Sequence, residues 1–302
     1  MSAPLTPRCA AQSLDRGDPR EGTATPVSRW LLVEQPGPWG RDALLSSRLD
    51  RAVAAELDRR CREAGVRPML IRRPGRAAGA PLSSDGRRWA YVDSRPGHEE
   101  IRWGFAPHEE DLADVPLDGS GPTPAVGAER TAYLVCAHGR HDACCAIRGR
   151  PVAAALAALR PEQTWECSHT GGDRFAANVV ILPHGLYYGA VTAADAERLV
   201  AAEESGQVVP GLLRGRSALP MPVQAAQHHA RAAVADLGVD GLAPITVARP
   251  AEDVWRVAFA HPAGPVTVTL RVGRSDGLPR LTCGAAGLQR MPVYDLVDVT
   301  TG

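Results

Sequence analysis

One stretch of the chain, residues 133–188, constrains its fold and its chemistry more than any other. It holds four of the seven cysteines and four of the nine histidines in fewer than a fifth of the 302 residues. These are Cys136, Cys144, Cys145, Cys167, His138, His141, His169 and His184. Thiol and imidazole donors gathered this closely are typical of a metal or cluster site. We therefore expect the fold to bring several of these side chains onto one centre.

The first half of the stretch predicts a strand, a long loop and a helix. The apolar residues 133–135 predict a buried strand that ends at Cys136. Eight residues separate Cys136 from Cys145, and this interval is polar and loop-like. A loop of this size can bring two thiolates onto one centre. Residues 146–159 are rich in Ala and Leu and predict a helix.

The second half predicts a strand at residues 164–167 and then a tight loop. In that loop Gly171 and Gly172 permit backbone conformations that other residues resist. His169 and Asp173, on either side of these glycines, can therefore point back at one atom. The elements predicted after the loop are a hairpin of residues 179–182 and 186–190 and a helix of residues 195–205.

The order of these elements and several motifs resemble the sucrase/ferredoxin-like family. The motifs are V-C-A-H-G-R-H-D-A-C-C, G-R-P-V-A-A-A-L, W-E-C-S-H-T-G-G-D-R-F-A-A-N and L-P-H-G-L-Y-Y-G, with E-Q-P-G-P-W-G at 34–40 and R-G-R-S-A at 214–218. The resemblance covers nearly the whole chain. It implies an α/β protein whose thioredoxin-like ferredoxin core carries one [2Fe-2S] cluster for one-electron transfer.

The resemblance also implies a set of cluster ligands. The bis-histidinyl members of the family hold the cluster with Cys-x8-Cys and with His-x3-His in an H-x-G-G-H loop. Taken residue by residue, Cys136, Cys145 and His169 match that pattern, and the fourth position is Asp173 instead of His. We therefore expect these four residues to bind the cluster. A carboxylate at the fourth position would replace the second neutral imidazole with an anion.

Neighbouring residues leave alternatives to this ligand set. Cys144 is the alternative for the second cysteine, one residue earlier in register. Cys167 is the alternative for the fourth ligand, because two residues before His169 on a strand its side chain shares a face with that histidine. Arg174 follows Asp173, and it either pairs with that carboxylate or offsets the charge of the cluster.

Other histidines and cysteines are expected to have lesser roles. His138 and His141 lie between the first two ligand cysteines, and we expect them beside the cluster or exposed, with ligation by one of them as the alternative. We expect Cys9 to be a surface thiol, and Cys61 and Cys283 to be packed in apolar surroundings.

The remaining segments predict a chain of four parts. Residues 30–71 predict a strand, a helix over 43–64 and a second strand, and two short strands follow. A Gly- and Pro-rich segment, residues 119–128, predicts a linker. The predicted parts are a flexible tail at 1–25, an N-terminal α/β subdomain at 26–118, the thioredoxin-like ferredoxin domain at 129–214, and a helix plus β-rich C-terminal section at 215–302.

Composition narrows the classes of partner and compartment. The formal net charge is zero, which argues against nucleic acid or an anionic membrane as a partner. No apolar run approaches the length of a membrane span, and the first residues lack the pattern of a signal peptide. Seven cysteines in such a chain indicate thiols kept reduced in the cytoplasm.

These observations favour an electron carrier over an enzyme, with an unknown redox partner protein. The alternative is a structural or regulatory zinc site with Cys and His ligands. A thiol oxidoreductase is less favoured, because no C-x-x-C follows a strand and the adjacent Cys144 and Cys145 cannot easily form an unstrained disulfide. Sucrose hydrolysis is disfavoured, because no pair of carboxylates stands out in the sequence.

Overall fold

The computed structural model describes residues 8–75, 86–121 and 130–302. In this part of the chain the fold is mixed α/β, with a nine-stranded sheet followed by a four-stranded antiparallel sheet. Residues 1–7 of the predicted tail and residues 122–128 of the predicted linker lie outside the described residues. The division into four parts stays a prediction.

The strands are numbered in chain order. The large sheet contains β1 Arg29–Glu34, β2 Arg67–Arg72, β3 Arg87–Asp93, β4 Glu100–Ala106, β5 Ala132–Cys136, β6 Thr164–Cys167, β7 Val179–Leu182, β8 Leu186–Tyr188 and β9 Leu213–Arg216. The small sheet contains β10 Pro244–Ala251, β11 Val254–Phe259, β12 Val266–Arg274 and β13 Pro292–Thr301. The helices are α1 Cys9–Arg16, α2 Arg51–Ala64, α3 Ala143–Leu159, α4 Ala196–Glu204 and α5 Met221–Val234.

The large sheet has the order β4-β3-β1-β2-β6-β5-β7-β8-β9 and contains the same pattern twice. In the first half β1 and β2 are parallel with α2 between them in sequence, and β3 and β4 extend the sheet antiparallel beyond β1. In the second half β5 and β6 are parallel around α3, and β7 and β8 extend it antiparallel beyond β5. The halves join where β2 pairs antiparallel with β6. The predicted N-terminal subdomain and ferredoxin domain thus share one sheet.

Strand β5 is buried on both faces, and this explains its continuous apolar sequence. Tyr133 and Val135 pack with side chains of α3 and α4 in one apolar cluster. Leu134 and Cys136 pack in another cluster, which also contains Cys145. Alternation along the strand therefore directs Cys136 away from the face that Val135 covers.

The predicted helix over residues 43–64 is wrong in its first part. Residues Leu44–Ser46 form a short 3-10 helix, and α2 begins only at Arg51. Asp50 fixes this start, because its carboxylate accepts hydrogen bonds from the backbone N–H groups of Ala52 and Val53 at 2.8 and 3.2 Å. At the other end Gly65 adopts the left-handed conformation expected of a helix cap, with φ of 63°.

The prediction of Cys9 as a surface thiol is wrong. Cys9 begins α1, and both Cys9 and Ala10 are fully buried. They pack with Cys144 and Ala176, next to the 3-10 helix Asp173–Phe175. Sequence reasoning missed this because the partners of Cys9 lie more than 130 residues away along the chain.

The predicted helix and β-rich C-terminal section are confirmed. Helix α5 packs its apolar face on the small sheet, where Val223 and Ala226 join a cluster with Val257 and Val268. Among the helices described, none is long and apolar enough to cross a membrane.

Candidate metal centre

The end of β5 and the start of α3 bring two cysteines together. Cys136 is the last residue of β5, and Cys145 lies in the first turn of α3. Asp142 caps α3 by accepting a hydrogen bond from the backbone N–H of Cys144 at 2.8 Å. Gly149 allows α3 to approach β5, because a Cβ at this position would collide with the carbonyl oxygen of Cys136. Both cysteines are fully buried.

The loop between β6 and the 3-10 helix carries the other two predicted ligands. Gly171 and Gly172 both have positive φ, 98° and 81°, and turn the chain so that His169 and Asp173 face each other. His169 Nδ1 lies 3.1 Å from Asp173 Oδ1. The glycine prediction is confirmed, because both residues occupy the left-handed region that favours glycine.

The buried guanidinium of Arg214 holds this loop in place. It donates hydrogen bonds of 2.8 Å to the carbonyl oxygen of Gly171 and to Asn178 Oδ1. Asn178 in turn donates to the carbonyl oxygen of Gly172 at 2.9 Å. Arg67 donates to the carbonyl oxygen of His169 at 2.8 Å. The loop is therefore anchored through backbone carbonyls, which leaves the His169 and Asp173 side chains to face the cysteines.

The donor atoms of Cys136, Cys145 and His169 all lie within 4.8 Å of one another. The donor atoms of His141, His169 and Asp173 also lie within 4.8 Å of one another, so the two groups share His169. Asp173 Oδ1 also lies 3.3 Å from Cys145 Sγ, where it accepts a hydrogen bond from the thiol. The structure thus brings all four predicted ligands together, with His141 beside them.

The electrostatics of the two cysteines are opposite. Hydrogen bonding from Cys145 lowers the pKa of the Cys136 thiol well below its usual value, with His169 helping against the effect of burial. The same contact, together with burial and the charge of Asp173, raises the pKa of Cys145. The thiolate form is therefore favoured at Cys136 and the thiol form at Cys145.

His169 and Asp173 stabilise each other in their charged forms. Burial opposes the imidazolium, but the Asp173 carboxylate and the Cys136 thiolate outweigh it and raise the pKa of His169 to about 9. Burial likewise opposes the carboxylate, but His169 and Cys145 hold the pKa of Asp173 below its usual value. In the metal-free site the negative charges of Cys136 and Asp173 are therefore partly balanced by the His169 imidazolium.

Neither alternative ligand belongs to the groups formed by the four predicted ligands. Cys144 Sγ contacts Cys9 and Cys283 at 3.6 and 3.5 Å and belongs to a separate group. Cys167 is fully buried in the apolar cluster around Trp165, and burial raises its pKa well above the usual value. Within the described residues, Cys167 is in none of the candidate metal-binding groups.

Arg174 does not form the ion pair with Asp173 that was one of its predicted roles. Its Nε lies 3.6 Å from Asp18 Oδ2, and its guanidinium stacks on the ring of Phe175. Asp18 belongs to the segment after α1, within the predicted tail at 1–25. Asp173 is therefore left to interact with His169 and Cys145.

Sequence reasoning did not assign positions to Arg214 and Gly40 in the site. His138 is 2% exposed, and its Nε2 lies 2.7 Å from the carbonyl oxygen of Gly40. Its ring packs edge-on against Trp39, with ring centroids 5.9 Å apart. Gly40 is the last residue of the motif E-Q-P-G-P-W-G, and Arg214 is the first residue of the motif R-G-R-S-A. The presence of these motifs far from the cysteines was the signal that could have found them.

The donors fit a thiophilic metal ion or an iron–sulfur cluster. His169 Nδ1 is buried. It lies 3.1 Å from Asp173 Oδ1, but among the described residues no acceptor lies in line with its N–H for a hydrogen bond. A buried ring nitrogen of this kind, next to two thiols and a carboxylate, is a typical ligand of zinc or iron.

Comparison with known families agrees with the motifs. The sequence model of the family described as sucrase/ferredoxin-like matches residues 21–215. The chain belongs to the sucrase/ferredoxin-like family. The matched range includes the large sheet up to residue 215 of β9 and all four predicted ligands, whereas Cys9, α5 and Cys283 lie outside it. Searches of curated proteins and of solved structures found no match.

Proposed function

We propose that this sucrase/ferredoxin-like protein is an electron carrier with one [2Fe-2S] cluster. Cys136 and Cys145 would hold one iron, and His169 and Asp173 would hold the other. The observation that carries the proposal is the convergence of these four side chains from two separate loops, with the donor atoms of Cys136, Cys145 and His169 within 4.8 Å. When bound, the cluster supplies one-electron oxidation and reduction.

The charges of the chain's own residues suit this role. Imidazole in place of thiolate removes negative charge from the site and favours the reduced form, and the Asp173 carboxylate returns part of that charge. Arg214 adds a buried cation behind the ligand loop, although burial lowers its pKa to about 10. The balance of Asp173 against Arg214 would therefore set much of the reduction potential.

The topology of the second half supports a thioredoxin-like core. Strands β6-β5-β7-β8 lie in that order, with β5 and β6 parallel around α3 and the others antiparallel. The first half, β2-β1-β3-β4 around α2, has the same order and directions. We propose that it is a second thioredoxin-like unit without ligands, joined to the first along β2 and β6.

The position of the site supports exchange with a protein partner. The His169 and His141 side chains are 22% and 33% exposed, and their rings stack with centroids 3.7 Å apart. Gly139 and Arg140 beside them are exposed. We propose that a redox partner protein docks at this face, where the site is closest to solvent. All seven cysteines are free thiols, which supports a reducing compartment such as the cytoplasm.

The test is the metal content of paired variants, purified anaerobically. We expect Cys136→Ala and Cys145→Ala each to lose most of the iron and acid-labile sulfide, because Ala offers no replacement for a thiolate. Cys61→Ala is the matched control, since Cys61 is equally buried but packs in a separate apolar cluster around α2. Iron and sulfide that survive in both ligand variants would contradict the proposed site.

A zinc site is the second candidate, and one observation favours it. Three donor atoms from Cys136, Cys145 and His169 within 4.8 Å would also suit a single tetrahedral ion, with Asp173 as the fourth ligand. Such a protein would be colourless, and the metal lost in Cys136→Ala would be zinc without sulfide. The same measurement therefore separates the two candidates.

A further inference from the structure

A second group of thiols lies next to the candidate cluster site. Cys9 from α1, Cys144 from the first turn of α3 and Cys283 from the segment between β12 and β13 meet there. Their sulfur atoms form a nearly equilateral triangle, with Cys9–Cys144 at 3.6 Å and the other two separations at 3.5 Å. Cys9 and Cys144 are almost completely buried, and Cys283 is partly buried.

A buried carboxylate completes the group. Asp142 is 3% exposed, and its two oxygens lie 3.8 and 3.7 Å from Cys9 Sγ. Each oxygen also accepts one backbone N–H: Oδ1 from Cys144 at 2.8 Å and Oδ2 from Cys283 at 2.7 Å. These hydrogen bonds fix the carboxylate with lone pairs left over, as hydrogen-bonded carboxylate ligands of metals are fixed.

The spacing matches that of one tetrahedral ion. With Zn–S distances near 2.3 Å, the sulfur atoms of a tetrahedral zinc site lie about 3.8 Å apart. With Zn–O distances near 2.1 Å, a carboxylate oxygen lies about 3.6 Å from each sulfur. The observed separations of 3.5 to 3.8 Å are close to both values. A disulfide, by contrast, would need two of the sulfurs at about 2.0 Å and would leave the third thiol unused.

We propose that Cys9, Cys144, Cys283 and Asp142 form a structural zinc site. Three thiolates select a soft cation over magnesium or calcium, and four protein ligands leave no open position for a substrate. Zinc binding would displace the thiol protons, so that three thiolates and one carboxylate surround the ion.

The ion would fasten both ends of the chain to the ferredoxin part. Cys9 is 135 residues from Cys144, and Cys144 is 139 residues from Cys283. Cross-links across such separations close very long loops, where the entropy that a cross-link removes from the unfolded chain is largest. Cys9 and Cys283 lie outside the range matched by the family model. The site would therefore join the two segments outside the matched range, through Cys9 and Cys283, to Cys144 and Asp142 within it.

The site would also support the ligand loops of the proposed cluster. Cys144 is adjacent to Cys145, and Asp142 caps the helix that carries both. Cys9 packs against Ala176, just after the 3-10 helix that contains Asp173. The zinc ion would thus hold the start of α3 and the end of the His169 loop against α1.

The test measures zinc, iron and sulfide in the same samples of the full chain. The variants are Cys9→Ser and Cys283→Ser, with Cys61→Ser as the control because it lies in a different cluster. We expect the parent and the control to carry about one zinc per chain, and both variants to lose it. Zinc is counted separately from iron and sulfide, so its loss is read independently of whether the cluster proposal holds. If the cluster site held zinc instead, the parent would carry about two zinc ions and each variant about one.

A second measurement covers variants that fail to fold. The parent chain is titrated with Co²⁺ after removal of zinc, and thiolate-to-cobalt charge-transfer bands with intense tetrahedral ligand-field bands are expected at one equivalent. Absence of these bands would overturn the proposal. So would zinc retained in both Cys9→Ser and Cys283→Ser, or a disulfide between two of the three cysteines in anaerobically purified protein, detected by mass.

Discussion

Substitution of Gly172 tests how strictly the ligand loop must be held. Gly172 has φ of 81° and ψ of 54°, a conformation that costs an Ala residue about 1–2 kcal/mol. A Cβ there would also lie 2.8 Å from Cζ of Arg214. That guanidinium cannot move aside without losing its hydrogen bonds to Gly171 and Asn178. Overpacking of this kind costs a further ~1–3 kcal/mol.

The matched control is Gly206→Ala. Gly206 has a similar φ of 63°, but a Cβ there would meet nothing within 4 Å, so only the backbone cost of about 1–2 kcal/mol applies. We expect urea unfolding to show a loss for Gly172→Ala that exceeds the control by ~1–3 kcal/mol. Only Gly172→Ala should also lose iron, because its displaced loop carries His169 and Asp173. Equal losses of stability and equal iron contents in the two variants would refute this reasoning.

Three further predictions concern the ligands. Metal analysis should find iron and sulfide kept in Cys144→Ala and lost in Cys145→Ala, because of these two thiols only that of Cys145 donates to Asp173. The opposite result would shift the ligand by one residue. His169→Cys should keep a cluster of lower reduction potential in a redox titration, because thiolate adds negative charge; an unchanged potential would remove His169 from the ligands. In the metal-free protein, the His169 pKa of about 9 lies above its unfolded value near 6.5. The contribution of protonated His169 to the free energy of unfolding is therefore complete below pH ~6.5 and is lost as the pH rises through about 9. Asp173→Asn should flatten that fall in urea-unfolding curves, because the carboxylate helps raise the pKa, and a curve as steep as the parent's would contradict this.

Local sequence patterns predicted most elements near the site. The strands at 164–167 and 179–182 are confirmed at their predicted bounds, and each ends at a turn or loop. The strand before Cys136 was equally clear, since both of its faces are buried. Helix α3 begins three residues earlier than predicted, because Asp142 caps it and so brings Cys144 and Cys145 into its first turn.

Long-range contacts could not be predicted in the same way. Cys9 and Cys283 have no local signal, and their meeting with Cys144 depends on how the two ends of the chain pack. The pairing of Arg174 with Asp18, instead of with the adjacent Asp173, has the same origin. Adjacency in sequence offers Asp173 as one partner of Arg174, whereas the tertiary fold supplies a carboxylate from 156 residues earlier.

The repeated strand order was only partly accessible from the sequence. The strand–helix–strand pattern before residue 72 was visible from its apolar periodicity. The pairing of β2 with β6, which joins the two halves into one sheet, involves two residue pairs, Ile71 with Cys167 and Arg72 with Glu166. The buried ion pair of Arg72 with Glu166, at 2.7 Å, reinforces this short join, and neither residue has a local pattern that marks it as such.

The central claim is that the four converging side chains hold one [2Fe-2S] cluster with unlike ligands on its two irons. The most direct measurement is the Mössbauer spectrum of the full chain, labelled with iron-57 and purified anaerobically. Two doublets of equal area are expected, one from the iron bound by Cys136 and Cys145 and the other from the iron bound by His169 and Asp173. Iron in a single doublet, or protein without iron and sulfide, would contradict the claim.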